Sequence, residues 1–208
     1  MTDIALKLFI AYALGSVMGS LLIGKLRRVD IRSMGSGNAG GTNALRTQGK
    51  WFALGVIVID IGKGALAAGW VPGLDFGSGV ATPAWLPYAC GAAAVFGHCF
   101  PLFFGFRGGK GAATLVGTLL VFDPILFPPL LVLFALIIMG FGFVGLSTMI
   151  TANAATVLVW LRYGFDNMPF LIFAAVMGLT MIATHQANIR RMLEGTESRN
   201  TRLMVLRR

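Results

Sequence analysis

Long apolar runs alternate with short polar segments along the whole chain. The runs cover residues 4–24, 51–71, about 84–104, 111–122, 125–141, about 144–161 and about 169–184. A helix of about 20 apolar residues crosses a bilayer, and it satisfies its own backbone hydrogen bonds in lipid. The pattern therefore predicts an all-α fold, a polytopic integral membrane protein with about seven transmembrane helices.

One of these runs is short. Residues 111–122 would form about 18 Å of helix, whereas the hydrocarbon core of a bilayer is about 30 Å thick. Two interpretations stay open for this run: a helix that is tilted in a thinned part of the bilayer, or a segment that is partly re-entrant.

Composition excludes an ordinary soluble domain. Of the 208 residues, 56% are hydrophobic and 12% are charged, whereas about 25% are charged in a typical soluble domain. The net charge of +9 does not indicate a nucleic-acid partner, because the basic residues lie in short segments beside apolar runs. Cys90 and Cys99 are too far apart on one helix for a disulfide. With only two histidines in the chain, no metal-ligand spacing exists, and neither a metal nor a cofactor is expected.

The basic residues predict the topology. Six lie between residues 25 and 50, two lie in the turn at 105–110, and six lie in the tail after His185. Cytoplasmic loops of membrane proteins are enriched in Lys and Arg. Seven helices with the N-terminus outside and the C-terminus in the cytoplasm place these 14 of the 17 basic residues inside. We find no repeat or linker, and we predict a single helical membrane domain, residues 1–208, with a site that faces the cytoplasm.

The most unusual segment is a glycine-rich turn, FPLFFGFRGGKGAAT, at residues 100–114. Gly108, Gly109 and Gly111 allow bare backbone N–H groups to approach an anion, and Lys110 adds a positive charge. A helix that begins after Gly111 would also attract negative charge at its N-terminus. The turn is therefore a candidate phosphate site, and the alternative is an ordinary membrane-loop turn with incidental basic residues.

A second polar segment, residues 33–50, is also rich in small and polar residues. Its candidate ligand-binding residues offer hydroxyl, amide, guanidinium and bare backbone groups: Ser36, Gly37, Asn38, Thr42, Asn43 and Arg46. A guanidinium can bind a phosphate through two parallel hydrogen bonds. The alternative is a polar loop that caps a helix beginning near Thr42.

The third polar segment follows the last apolar run. His185 and Asn188 are three residues apart, so we expect them on one helix face beside Arg190 and Arg191, where they would form an anion site. An interfacial histidine without a ligand is the alternative. All three polar segments are predicted on the cytoplasmic side, and their convergence there is the strongest functional indication in the residues themselves.

Two further polar features lie within predicted spans. Asp60 and Lys63 can share a helix face and neutralise each other, so we favour a structural ion pair that supports the turn above it over a direct catalytic role. Ser147 and Thr148 can bond a neighbouring helix or reach a ligand.

The residues leave two functional classes open. No Ser-His-Asp arrangement and no pair of carboxylates is visible, so a covalent intermediate is not expected. Fixed donors and cations suit an enzyme that positions phosphates. A transporter or channel for a phosphorylated anion is the alternative, since transporters also use broken helices with glycine-rich ends.

Four motifs resemble those of a known family, the bacterial acyl-phosphate:glycerol-3-phosphate acyltransferases or PlsY family: GSGNAGGTNALRTQGK (35–50), DIGKGA (60–65), GHCFPLFFGFRGGKGAAT (97–114) and HQANIRRMLEGTE (185–197). The resemblance implies a multi-pass enzyme of the bacterial cytoplasmic (inner) membrane. Such an enzyme transfers a fatty acyl group from acyl phosphate to the 1-hydroxyl of glycerol 3-phosphate, giving lysophosphatidic acid and phosphate. Membrane lipid is then a further partner, and no obligate protein partner is expected.

Carried over residue by residue, the resemblance implies that the catalytic positions are Ser36, Arg46, Lys110, His185 and Asn188. It also implies that residues 108–114, ending at Thr114, form the acyl-phosphate loop. The expected substrate-binding set is Gly37, Asn38, Thr42, Asn43, Gly108, Gly109, Gly111, Thr114, Ser147 and Arg191. Two candidates for the general base stay open, His185 and a phosphate oxygen of the substrate.

Overall fold

The computed structural model describes residues 2–77, 79, 81–201 and 203–205, and within these residues the chain forms helices, turns and loops with no strand. The all-α fold class is therefore confirmed. The chain divides into two compact units, an N-terminal unit (Met1–Phe122) and a C-terminal unit (Asp123–Arg208), which are described separately. The single membrane domain stays a prediction.

The described part of the N-terminal unit contains six α-helices: α1 (Thr2–Gly15), α2 (Gly19–Arg27), α3 (Gly41–Gln48), α4 (Lys50–Gly69), α5 (Leu86–Cys99) and α6 (Ala112–Phe122). Helix α4 packs against each of the other five. Glycines permit these close crossings, since a methyl group at Gly64 would overlap the carbonyl of Thr114, and one at Gly117 would overlap the carbonyl of Ile61. Small residues at helix contacts are typical of membrane bundles.

The first apolar run, which was predicted as one span, contains a break. Residues 4–24 fall in two helices, α1 and α2, which are bent by 45° at the break between Gly15 and Gly19. The break is stable because α4 supplies partners for its backbone. Lys63 Nζ donates to the carbonyl of Val17 at 2.7 Å, and the N–H of Gly19 donates to Asp60 Oδ1 at 3.3 Å. Non-helical backbone at membrane depth needs such partners in the protein.

The described part of the C-terminal unit contains four α-helices: α7 (Phe127–Phe141), α8 (Val144–Tyr163), α9 (Met168–Thr184) and α10 (Gln186–Leu193). A tight bend joins α7 to α8, and Gly142 turns it with φ +77°. The tail returns to this bend, where the N–H of Asn200 donates to the carbonyl of Gly142 at 2.8 Å. At the other end of α8, Asp123 accepts from the Tyr163 hydroxyl at 2.7 Å.

The helices have the lengths and composition of membrane spans. Within the described residues, four stretches are long and apolar enough to cross a bilayer: Lys50–Gly73, Leu86–Phe104, Pro124–Phe141 and Val144–Tyr163. Two bent pairs, α1 with α2 and α9 with α10, raise the count to six, and α6 is a shorter apolar helix. The chain is thus an integral multi-pass membrane protein. The count of seven and the predicted sides of the termini stay predictions, and Arg202, Arg207 and Arg208 of the predicted cytoplasmic tail lie outside the described residues.

Candidate active site

The polar segment at residues 33–50 is organised by Asn43, a side chain on α3 that is only 1% exposed. Its Nδ2 group donates to the carbonyls of Ile31 and Met34 at 2.9 and 3.0 Å, and its Oδ1 accepts from the N–H of Ser36 at 3.0 Å. The amide is therefore occupied with the loop backbone. These contacts shape the segment that carries Ser36, and the predicted role of Asn43 as a substrate ligand stays a prediction.

The other predicted residues of this segment are more open. Ser36, Gly37, Thr42 and Arg46 are exposed, and Asn38 is half-buried. Gly37 adopts φ +73°, a conformation that a residue with a side chain rarely takes. The helix predicted to begin near Thr42 is confirmed as α3, which begins at Gly41. A structured loop and an exposed set of polar groups are therefore both present, and the ligand-binding role stays a prediction.

Within the N-terminal unit, Arg32 lies at the start of the polar segment at residues 33–50 and bonds the glycine-rich turn. Its Nη1 donates to the carbonyls of Phe104 and Arg107 at 3.3 and 3.2 Å. Asp30 pairs with the same guanidinium at 2.7 Å, and this hydrogen bond holds the pKa of the Asp30 carboxyl below its usual value. Phe104 also packs against the buried cluster that contains Ala39. The two predicted phosphate-binding segments of this unit are therefore neighbours.

The glycine-rich turn lies directly on the C-terminal end of α5. The N–H of Gly109 donates to the carbonyl of His98 at 3.0 Å. A methyl group at Gly108 would overlap that carbonyl and lie 2.8 Å from the carbonyl of Cys99. The turn is thus fixed by its own backbone and by the absence of side chains at both glycines.

Lys110 is half-buried on this turn, between Gly109 and Gly111. Gly111 is buried with φ +87°, and its carbonyl accepts the N–H of Leu115 at 2.8 Å as α6 begins. The turn therefore leads straight into a helix N-terminus, as predicted. Thr114 is fully buried in the first turn of α6, and its Oγ1 has no hydrogen-bond partner among the described residues.

A buried polar network lies beneath the turn. Lys63 Nζ is 3.0 Å from Asp60 Oδ1 and 2.8 Å from His98 Nδ1, and all three side chains are at most 5% exposed. The predicted pairing of Asp60 with Lys63 is confirmed. His98 was not predicted as part of it, since it lies 35 residues from Lys63 in sequence.

The third polar segment belongs to the C-terminal unit and differs from its prediction. His185 is not on a helix face with Asn188 but at the break between α9 and α10, which are bent by 53°. Its carbonyl accepts the N–H of Asn188 at 2.9 Å, so it caps α10. Its buried ring places Nδ1 2.7 Å from the carbonyl of Met181. Because a carbonyl only accepts, Nδ1 carries the proton, and Nε2 holds the lone pair in the neutral ring.

Glu197 organises this segment, although it was not among the predicted site residues. Its side chain is 7% exposed. Asn188 Nδ2 donates to its Oε1 at 2.7 Å, and Arg191 Nε donates to its Oε2 at 2.5 Å. One carboxylate therefore holds two predicted site residues. The available signal in the sequence was a pair of acidic residues, Glu194 and Glu197, shortly after Arg190 and Arg191.

Ser147, the last predicted site residue, lies fully buried in the first turn of α8. Its hydroxyl donates to the carbonyl of Phe143 at 3.0 Å, one turn back in its own helix. Nearby, Asn188 packs against Gly145, where an added methyl group would lie 3.1 Å from the amide carbon. Within the described residues, no group of three or more His, Cys, Asp and Glu side chains could hold a metal ion.

Comparison with known proteins finds relatives that all carry the same description. The family model for glycerol-3-phosphate acyltransferase matches residues 5–195. The glycerol-3-phosphate acyltransferase of Bacillus cytotoxicus is 40% identical over 193 residues, which cover 92% of either chain. That of Salinibacter ruber is 37% identical over 212 residues, which cover 95% of this chain and 93% of the relative.

Two solved structures also match. They are crystal structures of PlsY, an integral membrane glycerol 3-phosphate acyltransferase, in its glycerol 3-phosphate form and its lysophosphatidic acid form. The TM-scores are 0.81 and 0.80, and the sequence identities are 31% and 32%. Each match covers 94% of this chain and 94% of the solved one.

Proposed function

Because the chain belongs to the PlsY family of glycerol-3-phosphate acyltransferases, we propose that its acyl donor is acyl phosphate and its acceptor the 1-hydroxyl of glycerol 3-phosphate. The hydroxyl oxygen attacks the acyl carbon, the bond from that carbon to the phosphate oxygen breaks, and the hydroxyl proton passes to phosphate. The products are lysophosphatidic acid and inorganic phosphate.

One observation carries the choice of donor: the turn presents Lys110 between Gly109 and Gly111, directly before the N-terminus of α6. A helix N-terminus favours a phosphate group, and a lysine adds a point charge. As the acyl–oxygen bond breaks, negative charge grows on the departing phosphate. Donors fixed before the reaction stabilise that charge without reorganisation.

The acceptor needs a second set of charges. In the N-terminal unit, Arg46 is exposed and offers a planar fork that suits the phosphate of glycerol 3-phosphate. The exposed Ser36 is proposed to position a substrate oxygen and not to be acylated. In the C-terminal unit, His185 and Asn188 are proposed to orient glycerol 3-phosphate, with Arg191 adding charge. Glu197 supports this role because it fixes the side chains of Asn188 and Arg191.

Proton transfer is proposed to be assisted by the substrate. The phosphate group of an ester has a second pKa of about 6, so its dianion is a competent acceptor near neutral pH. Acyl phosphate is already activated, and a weak base suffices. His185 is then an orienting group whose ring is set by the hydrogen bond from Nδ1 to Met181.

The cellular setting follows from the substrates. A fatty acyl donor and a lysolipid product are amphiphilic, so an enzyme within the bilayer handles both where they reside. We propose the bacterial inner membrane, with the three polar segments on the cytoplasmic side where glycerol 3-phosphate is available. Membership of an acyltransferase family favours this enzyme over a transporter or channel for a phosphorylated anion.

The experiment is a defined assay with purified protein in detergent. Palmitoyl phosphate and labelled glycerol 3-phosphate should give labelled lysophosphatidic acid, whereas palmitoyl-CoA at equal concentration should give none. Lys110→Ala, purified in the same way, is the matched control and should give little product. Product from palmitoyl-CoA alone would contradict the proposed donor, and no product from either donor would contradict the proposed reaction.

A further inference from the structure

We infer that His98 is a positioning residue for the glycine-rich turn, and that Lys63 and Asp60 hold its ring in place. The inference rests on the proposed function, in which this turn binds the donor phosphate. His98 lies in the last turn of α5 and is 2% exposed. No step of the reaction itself requires it.

His98 contacts the glycine-rich turn through both its carbonyl and its ring. The carbonyl of His98 accepts the N–H of Gly109 at 3.0 Å. A methyl group at Gly109 would overlap Nε2 of the His98 ring, and its next neighbours are two further atoms of the same ring. Gly109 does not adopt the positive φ of Gly105 or Gly111. The ring, and not backbone strain, is therefore what demands a glycine at position 109.

Lys63 determines which nitrogen of the His98 ring carries the proton. A lysine ammonium has three protons, and Lys63 Nζ has three acceptors: the carbonyl of Val17 at 2.7 Å, His98 Nδ1 at 2.8 Å and Asp60 Oδ1 at 3.0 Å. Nδ1 of His98 consequently accepts, and the ring proton lies on Nε2, the atom that faces Gly109. One buried cation thus fixes both the tautomer and the orientation of the ring.

The charge balance between Asp60 and Lys63 does not require a histidine. Asp60 and Lys63 neutralise each other within the bilayer, and burying one more polar ring costs free energy unless it is bonded. The same network also bonds the break between α1 and α2, through Val17 and Gly19. From α2, the Ser20 hydroxyl donates to the carbonyl of Ala39 at 2.6 Å, within the segment that carries Ser36. Helix α2 thus contacts the network at Gly19 and the segment at residues 33–50 through Ser20.

The test uses two substitutions that each keep one side of the ring. His98→Asn keeps an acceptor near the place of Nδ1 and removes the bulk beside Gly109. His98→Gln extends an amide toward the place of Nε2 and removes the acceptor for Lys63. Each is made alone and with Gly109→Ala, and kcat and KM for palmitoyl phosphate are measured beside thermal unfolding in detergent.

We expect Gly109→Ala alone to lower kcat/KM for palmitoyl phosphate by about 100-fold, the effect of displacing a binding group by about 1 Å. In the His98→Asn background the same methyl group should fit, and the double variant should recover about tenfold over Gly109→Ala. The His98→Gln background should give no recovery. A role limited to fold stability would not produce this rescue.

Hydrogen–deuterium exchange of residues 105–111 gives a readout that does not depend on turnover, with α8 as the internal reference. His98→Gln should speed exchange in the turn while His98→Asn changes it less. Equal exchange in wild type and His98→Gln, or no rescue of Gly109→Ala by His98→Asn, would overturn the inference. If wild type made no lysophosphatidic acid, the proposed function would fail, and the exchange comparison would still decide the positioning role.

Discussion

Two regions that carry predicted site residues are held in place in different ways. In the N-terminal unit, the glycine-rich turn is held through its backbone, since Gly108 and Gly109 fit against the carbonyl and ring of His98. In the C-terminal unit, the segment from Asn188 onward is held through side chains, since the carboxylate of Glu197 bonds Asn188 and Arg191.

This difference predicts that substitutions of different kinds will disturb the structures of the two regions. A turn that is fixed by close backbone packing should tolerate loss of exposed side chains but not added bulk. A segment that is fixed by a buried carboxylate should tolerate added bulk nearby but not loss of charge, because its partners would remain without an acceptor. The following substitutions test this contrast, from the largest expected effect to the smallest.

Lys110→Ala should have the largest effect. It removes the one lysine of the turn, and loss of a fixed charge that stabilises a transition state costs about 1,000-fold in kcat. Its unfolding temperature should stay near that of wild type, because Lys110 is only half-buried. Arg107→Ala, an exposed basic residue of the same turn, is the control and should retain most activity. Similar losses in both variants would show that general positive charge, and not this position, matters.

His185→Asn should lower kcat by about 100-fold, within the range of a lost polar contact to the reacting group. Because the substrate phosphate is proposed to take the proton, the pH–rate profile of the variant should keep the shape of the wild-type profile. A limb between pH 6 and 7 that is present in wild type and absent in the variant would instead identify His185 as the base.

Gly108→Ala and Gly105→Ala separate bulk from backbone strain. The added methyl group meets the carbonyls of His98 and Cys99 at Gly108, but nothing within 4 Å at Gly105. Gly105 has φ +65°, so its substitution costs about 1 kcal/mol of strain. We expect Gly108→Ala to lower kcat/KM by more than about tenfold and Gly105→Ala by less. Equal activities would contradict the backbone-held description of the turn.

Glu197→Gln should lower the free energy of unfolding, and its loss of turnover should be smaller than in the preceding variants. The amide keeps its size but loses the ion pair with Arg191, which is 34% exposed, so we expect about 1–2 kcal/mol of destabilisation in detergent. Glu194→Gln is the matched control, because its pair with Arg190 is exposed and worth at most about 0.5 kcal/mol. If the two variants unfolded alike, Glu197 would have no special structural role.

Features formed by residues that are close in sequence were predicted well, whereas features that depend on distant residues were not. Apolar runs are local features of the sequence, and they predicted most helices correctly. The pair of Asp60 and Lys63 is one helical turn apart, and it was also found. The break between α1 and α2 was missed because its partners lie on α4, more than 40 residues away.

Side-chain roles were harder to predict for the same reason. Asn43 carries an amide that could bind a ligand, and only its three loop contacts reveal that it also shapes the segment that carries Ser36. His98 lacks any local partner that would mark it, and its role depends on Lys63 and Gly109 together. A histidine at the end of an apolar run, just before a glycine-rich turn, was the signal that the sequence held.

The central claim is that the acyl group passes directly from acyl phosphate to glycerol 3-phosphate, with Ser36 never acylated. The most direct test incubates the enzyme with palmitoyl phosphate alone and measures the intact protein mass and released phosphate, with the full reaction run in parallel. We expect an unmodified mass and no burst of phosphate until glycerol 3-phosphate is added. A mass increase of one palmitoyl group on Ser36, with one equivalent of phosphate released beforehand, would contradict direct transfer.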